Sequence, residues 1–148
     1  VYSNIAADPE RRLGDVWHSQ EHMVLDLGDD RFTRGRPHPM IDHRLRNQRI
    51  VHEAQDPNVA VMLLDIVLGY GAHPDPAAEM VPAISEAIRT AEEAGRELTI
   101  IGWLCGTDGD PQSLGQQQAA FERAGVKIVP SSTQAILLAA RFAKQVAG

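Results

Sequence analysis

The amino-acid sequence predicts an α/β domain in which helices cover both faces of an open, doubly wound parallel sheet, giving three layers. Apolar, strand-like runs alternate with helix-like segments along the chain, as in βαβ units. Residues 58–68 are almost uninterrupted in Val, Ile, Leu and Met, which is typical of a strand buried on both faces of a parallel sheet. Turns that contain Gly or Pro separate these segments, so each element has a defined start and end.

The elements follow one another in a regular order after an irregular start. Residues 1–22 lack clean periodicity and predict an irregular N-terminal arm with one helical turn near Pro9. Residues 23–148 are predicted to form the folded domain. Asp42, Pro76, Gly95 and Gly125 have the residue types that begin or end helices. Strands are predicted at 23–27, 58–68, 98–104 and 126–129, and helices from about 43 to 55, 77 to 94, 113 to 125 and 134 to 146.

Composition limits the class of protein and its partners. The 148 residues are 43% hydrophobic and 23% charged, which is ordinary for a soluble globular domain. The net charge of −6, without a basic stripe, argues against a nucleic-acid partner. No apolar run approaches the ~20 residues of a membrane helix. A single cysteine, Cys105, excludes an internal disulfide and suits a reducing cytoplasm. Because the sequence opens at Val1 without Met, we expect it to be part of a longer protein.

Three glycine-containing loops follow predicted strands, at residues 28–39, 69–76 and 106–112. In open α/β sheets, ligands bind beyond the carboxyl ends of the strands, where helix N-termini present free N–H groups to an anion. We therefore predict a small-molecule anion site formed by these loops. The alternative is that Gly and Asp only make turns and helix caps. The predicted binding residues in the loops are Gly28, Asp29, Gly69, Gly71, Gly106 and Thr107.

Arg34, Arg36 and His38 form the most distinctive polar set. Two prolines stiffen the segment that carries them, and guanidinium groups match carboxylate or phosphate oxygens in pairs. The segment is predicted to clamp an acyl phosphate or a carboxylate, with His38 as a catalytic candidate. The alternative is a structural network in which the arginines neutralise Asp26, Asp29 and Asp30.

Asp65 and His73 are the other candidates for catalysis. Asp65 interrupts an apolar strand, where a carboxylate is costly unless it is paired, holds an active-site group or binds Mg²⁺. His73 lies in a Gly/Pro loop and suits general acid–base chemistry, although a surface histidine without a role is equally common. Cys105 is expected to be a small core residue. His43 and His52 are expected on the first helix with solvated side chains. No His/Cys spacing suggests a zinc site, so no metal ligand is predicted.

Four segments of the chain are distinctive: Leu25-Asp-Leu-Gly-Asp-Asp30, Arg34-Gly-Arg-Pro-His-Pro-Met-Ile-Asp42, Leu64-Asp-Ile-Val-Leu-Gly-Tyr-Gly-Ala-His-Pro-Asp-Pro76 and Cys105-Gly-Thr-Asp-Gly-Asp-Pro-Gln112. They resemble the FdrA family of the succinyl-CoA synthetase superfamily, the NDP-forming acyl-CoA synthetases. The resemblance covers nearly the whole chain and implies the CoA-ligase domain of that superfamily, a flavodoxin-like sheet.

The resemblance also implies roles for individual residues. Synthetases of this superfamily move acyl groups between CoA and phosphate through a phosphohistidine, and the matching position here is Gln116, which cannot carry a labile phosphoryl group. Asp65 falls near the acidic or amide position that steadies the phosphohistidine. Ser131 and Ser132, expected to cap the last helix, resemble the family's Ser-Pro-Ala-Gln segment. CoA or acyl-CoA is the implied cofactor, with nucleotide and Mg²⁺ in the full-length protein.

The resemblance further implies a preceding strand and an N-terminal CoA-binding domain, on the same polypeptide or in partner subunits, and an oligomer. Three functions remain open. The first is an acyl-CoA synthetase-like domain that binds a phosphorylated or carboxylated small molecule. The second is a carbamoyltransferase component of ureide catabolism that uses carbamoyl phosphate, which needs an arginine clamp and no phosphohistidine. The third is a non-catalytic assembly subunit.

Overall fold

The computed structural model describes residues 1–146. The chain divides into two compact units, Val1–Pro39 and Met40–Gly148, of which residues 147 and 148 lie outside the described part. Each unit is described on its own. The predicted boundary between residues 22 and 23 stays a prediction, because a compact unit of the structure need not be a domain that folds on its own.

The first unit is organised around a short parallel strand pair. Strand β1 (Tyr2–Ser3) pairs with β2 (Met23–Val24), and a 3₁₀ turn at Pro9–Arg11 lies between them. The predicted helical turn near Pro9 is thus confirmed, but the arm also contributes a strand. β2 is shorter than the predicted 23–27 strand. The buried Asn4 side chain bonds the backbone N–H and carbonyl of Asp26 at 2.8 and 2.9 Å, and so replaces a continuing backbone ladder.

The rest of the first unit is a short helix over a small apolar core. Helix α1 (Asp30–Thr33) contributes the buried Phe32, whose ring meets Trp17 edge-on at a centroid distance of 5.3 Å. Leu13 and Val16 of the arm are also buried. The arm is therefore packed through its own apolar side chains rather than extended into solvent.

The second unit is built on a three-stranded parallel sheet with the order β3-β4-β5. The sheet strands are β3 (Val61–Val67), β4 (Thr99–Cys105) and β5 (Lys127–Ile128), and the helices are α2 (Arg44–Glu53), α3 (Pro76–Glu93), α4 (Leu114–Arg123) and α5 (Ser132–Val146). Helices α3 and α4 connect successive parallel strands, α2 packs on α3, and α5 packs on β3 and β4. The predicted three-layer α/β fold with a parallel sheet is confirmed.

The core lies mainly between one face of the sheet and helix α3. Met62, Leu64 and Ile66 alternate along β3 and are buried with Met80 and Ile84 of α3. The alternate face of β3 is only partly buried. The apolar run at residues 58–68 therefore marks a strand correctly, but the strand is fully buried on one face rather than on both.

Sheet pairing in register places the carboxyl ends of β3 and β4 at the same level. Val67 pairs with Cys105, and Leu68 then donates its N–H to the Cys105 carbonyl at 2.9 Å. The loops that follow both strands therefore emerge side by side. Among the residues the structure describes, no helix combines the length and apolar character required to cross a bilayer.

Candidate functional site

Two of the three glycine-containing loops meet at the carboxyl ends of β3 and β4, and Gln112 joins them. This side chain is only 6% exposed. Its Oε1 accepts the Gly69 N–H at 3.0 Å, and its Nε2 donates to the carbonyls of Gly69 and His73 at 2.7 and 3.0 Å. A Cβ on Gly106 would lie 2.7 Å from Leu68 Cβ, so the loops approach as closely as glycine allows. We call these two loops, residues 68–75 and 106–113, the rim.

The N-terminus of α3, the helix that follows the first loop of the rim, is capped by side chains of the protein. Asp75 accepts the Ala78 N–H at 3.1 Å, and Gln117 accepts the Ala77 N–H at 2.8 Å while donating to Asp75 at 2.9 Å. The hydrogen bond from Gln117 and that from Ala78 lower the pKa of the Asp75 carboxyl. Because Pro76 has no N–H, this helix end has little to offer a ligand.

The N-terminus of α4 is different. Ser113 precedes the helix and makes no capping hydrogen bond with its side chain among the described residues. Its φ of 58° is in the left-handed region, which is uncommon for a residue with a side chain and concentrates at functional sites. A Cβ on Gly115 would meet nothing within 4 Å, and Gln116 is exposed. The first turn of α4 therefore has the free space and the positive end of a helix dipole that an anion requires.

Two further rim residues differ in how free they are to contact a ligand: Thr107 is hydrogen-bonded within its loop, whereas Gly71 is exposed. The N–H and the hydroxyl of Thr107 both bond the Asp110 carboxylate, at 2.6 and 3.2 Å. Thr107 must leave Asp110 before either of these groups can donate a hydrogen bond to an anion. Gly71 is exposed, and a Cβ there would meet nothing within 4 Å.

Asp65 is ion-paired rather than free. Its Oδ1 lies 3.0 Å from Nη2 of Arg46, whose side chain is 13% exposed, and the same guanidinium donates to the Asp65 carbonyl. Because β3 is an edge strand, Arg46 satisfies a backbone acceptor as well as the carboxylate. These contacts favour the structural interpretation of Asp65.

His73 belongs to a cluster that sequence spacing did not reveal. Its Nε2 lies 3.1 Å from Oε2 of Glu79, and its Nδ1 accepts the Asp75 N–H at 3.1 Å. The centroids of the His43 and His73 rings are 5.4 Å apart, and the His43 backbone N–H donates to Glu79 at 3.3 Å. The expectation of a solvated His43 was wrong: it precedes α2, where it is 1% exposed. His52 is exposed as expected.

The candidate residues of the first unit include Asp29, Arg34 and Arg36. Asp29 caps α1 and accepts from Arg31 at 2.9 Å (backbone) and 3.1 Å (side chain), and this guanidinium lowers the pKa of Asp29. The arginine that neutralises Asp29 is thus Arg31. Arg34 and Arg36 are exposed and have no ion pair within the described residues.

Gly28 and His38 lie against each other in the same unit. A Cβ on Gly28 would lie 2.7 Å from His38 Nε2, so a side chain at position 28 would require the exposed imidazole to move. The Gly28 N–H donates to Asp26 at 2.9 Å, which fixes the turn beside the imidazole.

The remaining candidates lie at element ends. Ser131 caps α5, since its hydroxyl accepts the Gln134 N–H at 3.3 Å and its carbonyl accepts the Ala135 N–H at 3.0 Å. Ser132 is the exposed first residue of that helix. The expectation of a core Cys105 was wrong: the thiol is exposed where β4 ends.

A parallel sheet with helices packed on it, whose loops emerge side by side at the carboxyl ends of β3 and β4, defines a three-layer α/β domain. Residues 4–142 match the CoA-ligase family, and the chain belongs to that family. It is also similar to the protein YahF of Escherichia coli K12, described as uncharacterized, with 50% identity over 142 residues. That match covers 96% of this chain but 28% of YahF, so the chain spans less than a third of its relative's length.

Proposed function

We propose that this chain is an acyl-CoA synthetase-like domain of FdrA type that binds a phosphorylated or carboxylated small molecule at the carboxyl ends of β3 and β4. The observation that carries the proposal is the contrast between two helix N-termini on one sheet. The first turn of α3 is closed by Asp75 and Gln117, whereas α4 begins without a side-chain cap and with open space at Gly115. Membership of the CoA-ligase family supports the proposal, since acyl-CoA synthetases of this superfamily act on carboxylates and phosphates.

The chemistry proposed for this domain excludes a phosphoenzyme at position 116. Gln116 is exposed in the first turn of α4, where the superfamily has its phosphohistidine, and an amide nitrogen is not a nucleophile for phosphoryl transfer. Its amide can instead donate a hydrogen bond to the bound anion. The ligand's own phosphate is then the leaving group rather than a group passed to the protein.

Gln116 also favours the second function, a carbamoyltransferase component that uses carbamoyl phosphate. In that reaction an acceptor nitrogen attacks the carbamoyl carbon, the bond from this carbon to the phosphate oxygen breaks, and phosphate leaves with the electron pair and takes up the proton that the acceptor nitrogen releases. The helix N-terminus stabilises the charge that develops on phosphate, and no histidine is needed. The exposed guanidinium groups of Arg34 and Arg36, without ion pairs among the described residues, remain available for an anionic group.

CoA or acyl-CoA, nucleotide and Mg²⁺ belong to the proposed full-length protein, as do an N-terminal CoA-binding domain, a cytoplasmic location and oligomer formation. The chain spans 28% of YahF, which leaves ample room for such domains in a protein of that length. The non-catalytic alternative predicts that none of these small molecules binds the rim.

Isothermal titration with carbamoyl phosphate, acetyl phosphate, inorganic phosphate and CoA tests the proposal. Gln116→Glu places a carboxylate at the third position of α4, and the matched control Ala78→Glu places one at the third position of α3. We expect phosphate-containing ligands to bind roughly tenfold more weakly to Gln116→Glu, because a helix N-terminus stabilises only one anion well. Ala78→Glu should change affinity by less than about twofold.

Three outcomes separate the functions. No binding from the whole panel refutes both small-molecule functions and supports the assembly role. Equal losses in Gln116→Glu and Ala78→Glu refute the α4 site. Release of phosphate from carbamoyl phosphate when a small amide acceptor is added favours the carbamoyltransferase, and Arg36→Ala then tests whether the first unit contributes to it.

A further inference from the structure

The fold of the second unit brings together two imidazoles and one carboxylate from three segments of the chain. His43 precedes α2, His73 lies in the loop after β3, and Glu79 lies in the first turn of α3. One ligand atom of each residue lies within 4.8 Å of the others. We propose that His43, His73 and Glu79 form a binding site for a divalent transition-metal cation of the Zn²⁺ type.

The distances suit such an ion. Zinc binds nitrogen and carboxylate oxygen at about 2.0–2.2 Å, which separates two tetrahedral ligands by roughly 3.3 Å. His73 Nε2 and Glu79 Oε2 are already 3.1 Å apart. His43 completes the set by an approach of about 1.5 Å from the 4.8 Å limit of the cluster.

The donor set and its burial favour a transition metal over Mg²⁺ or Ca²⁺. Imidazole nitrogen suits zinc and its neighbours, whereas Mg²⁺ and Ca²⁺ prefer oxygen alone. Two histidines and one glutamate with a remaining open position are a known zinc arrangement. His43 is 1% exposed, and the side chains of His73 and Glu79 are each 24% exposed. Glu79 also lines an open groove between α2 and α3, which provides an entry path.

Contacts behind the ligands hold them in place. The His43 N–H donates to Glu79 Oε2 at 3.3 Å, and Asn47 Nδ2 donates to the Glu79 carbonyl at 2.8 Å. The His73 N–H donates to the Met40 carbonyl at 2.8 Å. These bonds hold together the three backbone segments that carry the ligands, so the cluster is built into the fold of the second unit.

Metal binding has one structural consequence that can be measured separately. Because the Asp75 N–H donates to Nδ1 of His73, the ring proton lies on Nε2 and faces Glu79. Coordination through Nε2 requires that proton to leave and Nδ1 to take one up, with no net change in protons on the ring. Nδ1 then no longer accepts from Asp75. The backbone amide of Asp75 must find another partner when the ion binds.

The experiment uses Zn²⁺ and, for absorption spectroscopy, Co²⁺, in a Cys105→Ser background that removes the exposed thiol as a competing ligand. Glu79→Gln and His73→Gln remove one ligand each. Glu86→Gln is the matched control, since Glu86 lies on the same helix and lines the same groove outside the cluster. His52→Gln is the histidine control, because His52 also lines that groove.

We expect one Zn²⁺ per chain, with affinity at least about tenfold lower in Glu79→Gln and His73→Gln and within about twofold in both controls. Zn²⁺ should also shift the Asp75 amide resonance in the protein that keeps all three ligands. No saturable binding, binding that disappears with Cys105, or equal losses in ligand and control variants would overturn the site. Should a ligand variant not fold by circular dichroism, an unmoved Asp75 amide in the Cys105→Ser protein overturns it.

Discussion

Replacing Gln112 by Ala tests whether the rim is a single rigid unit. The side chain is 6% exposed and makes three hydrogen bonds to backbone atoms of Gly69 and His73. Gln112→Ala removes all of them and leaves the Gly69 N–H and the His73 carbonyl to be satisfied by water, while the Gly69 carbonyl keeps the Ala72 N–H at 3.2 Å. No other side chain of the described residues is hydrogen-bonded to the backbone of Gly69.

The expected loss follows from those contacts. An intramolecular hydrogen bond contributes roughly 0.5–1.5 kcal/mol net, and leaving a buried partner unsatisfied costs more. Gly69 is only partly buried, so water recovers part of the loss. We therefore expect the free energy of unfolding to fall by about 2–3 kcal/mol. For a chain of this size, that corresponds to a melting temperature lower by roughly 6–10 °C.

Urea unfolding at equilibrium measures the change, and Gln116→Ala is the matched control because Gln116 is an exposed glutamine four residues further along. The control should change stability by less than about 0.5 kcal/mol. The m-value should stay constant in both variants, since the surface exposed on unfolding is unchanged. If Gln112→Ala is as stable as Gln116→Ala, the loops are held by their own turns and the reasoning about the rim is wrong.

Three further predictions concern single positions, each measured by urea or thermal unfolding. Gly106→Ala should lower the free energy of unfolding by about 1–3 kcal/mol, because the new Cβ would lie 2.7 Å from that of Leu68. In the control Gly71→Ala the Cβ would meet nothing within 4 Å, so the free energy of unfolding should change by less than about 0.5 kcal/mol. Equal losses in the two variants would contradict the close approach at Gly106. Ser113→Gly should raise the free energy of unfolding by about 0.5–1 kcal/mol, because glycine adopts a positive φ without strain. A lower stability would show that the Ser113 side chain contributes more than its backbone strain costs. Arg46→Ala should lower the free energy of unfolding by about 1–2 kcal/mol, because it removes the hydrogen bond to the Asp65 carbonyl and a partly screened ion pair. An unchanged stability would mean that water replaces Arg46 at the edge strand without loss.

The helices and strands of the second unit were predictable because their signals are local. Pro76 begins α3 at the predicted place, and the helix ends at Glu93, two residues before Gly95. Apolar runs located β3 and β4, because strands inside a parallel sheet need apolar side chains at most positions. β1 was missed because two residues carry no periodic signal, and only their pairing with β2 defines them as a strand.

The contacts of the candidate site were predictable only in part. Position after a strand was enough to place Gly69 and Gly106 on one rim. Nothing local showed that Gln112 and Gln117 would bond the preceding loop, since each reaches about 40 residues back along the chain. His43 was misjudged for the same reason: a polar residue before a helix usually faces water, and its burial depends on contacts with the distant residues His73 and Glu79.

Asp75 connects the two proposed binding sites, the histidine cluster and the N-terminus of α4. Its N–H bonds His73 Nδ1, and its carboxylate accepts from Gln117 in the beginning of α4. Since metal coordination by His73 releases that N–H, we expect the peptide at Asp75 to shift, and the bond to Gln117 is the contact that would carry the shift to α4. An ion at the histidine cluster and an anion at α4 should therefore change each other's affinity by the same factor.

We expect saturating Zn²⁺ to change the affinity for acetyl phosphate by about fivefold, the lower end of typical coupling between sites, and titration calorimetry with and without Zn²⁺ measures it. The same pair of titrations in Glu79→Gln controls for direct association of Zn²⁺ with the phosphate. Equal affinities with and without Zn²⁺, in a protein that binds both ligands, would show that the Asp75 peptide absorbs the change locally. The two sites would then be independent features of the same fold, and Gln117 would serve only as the cap of α3.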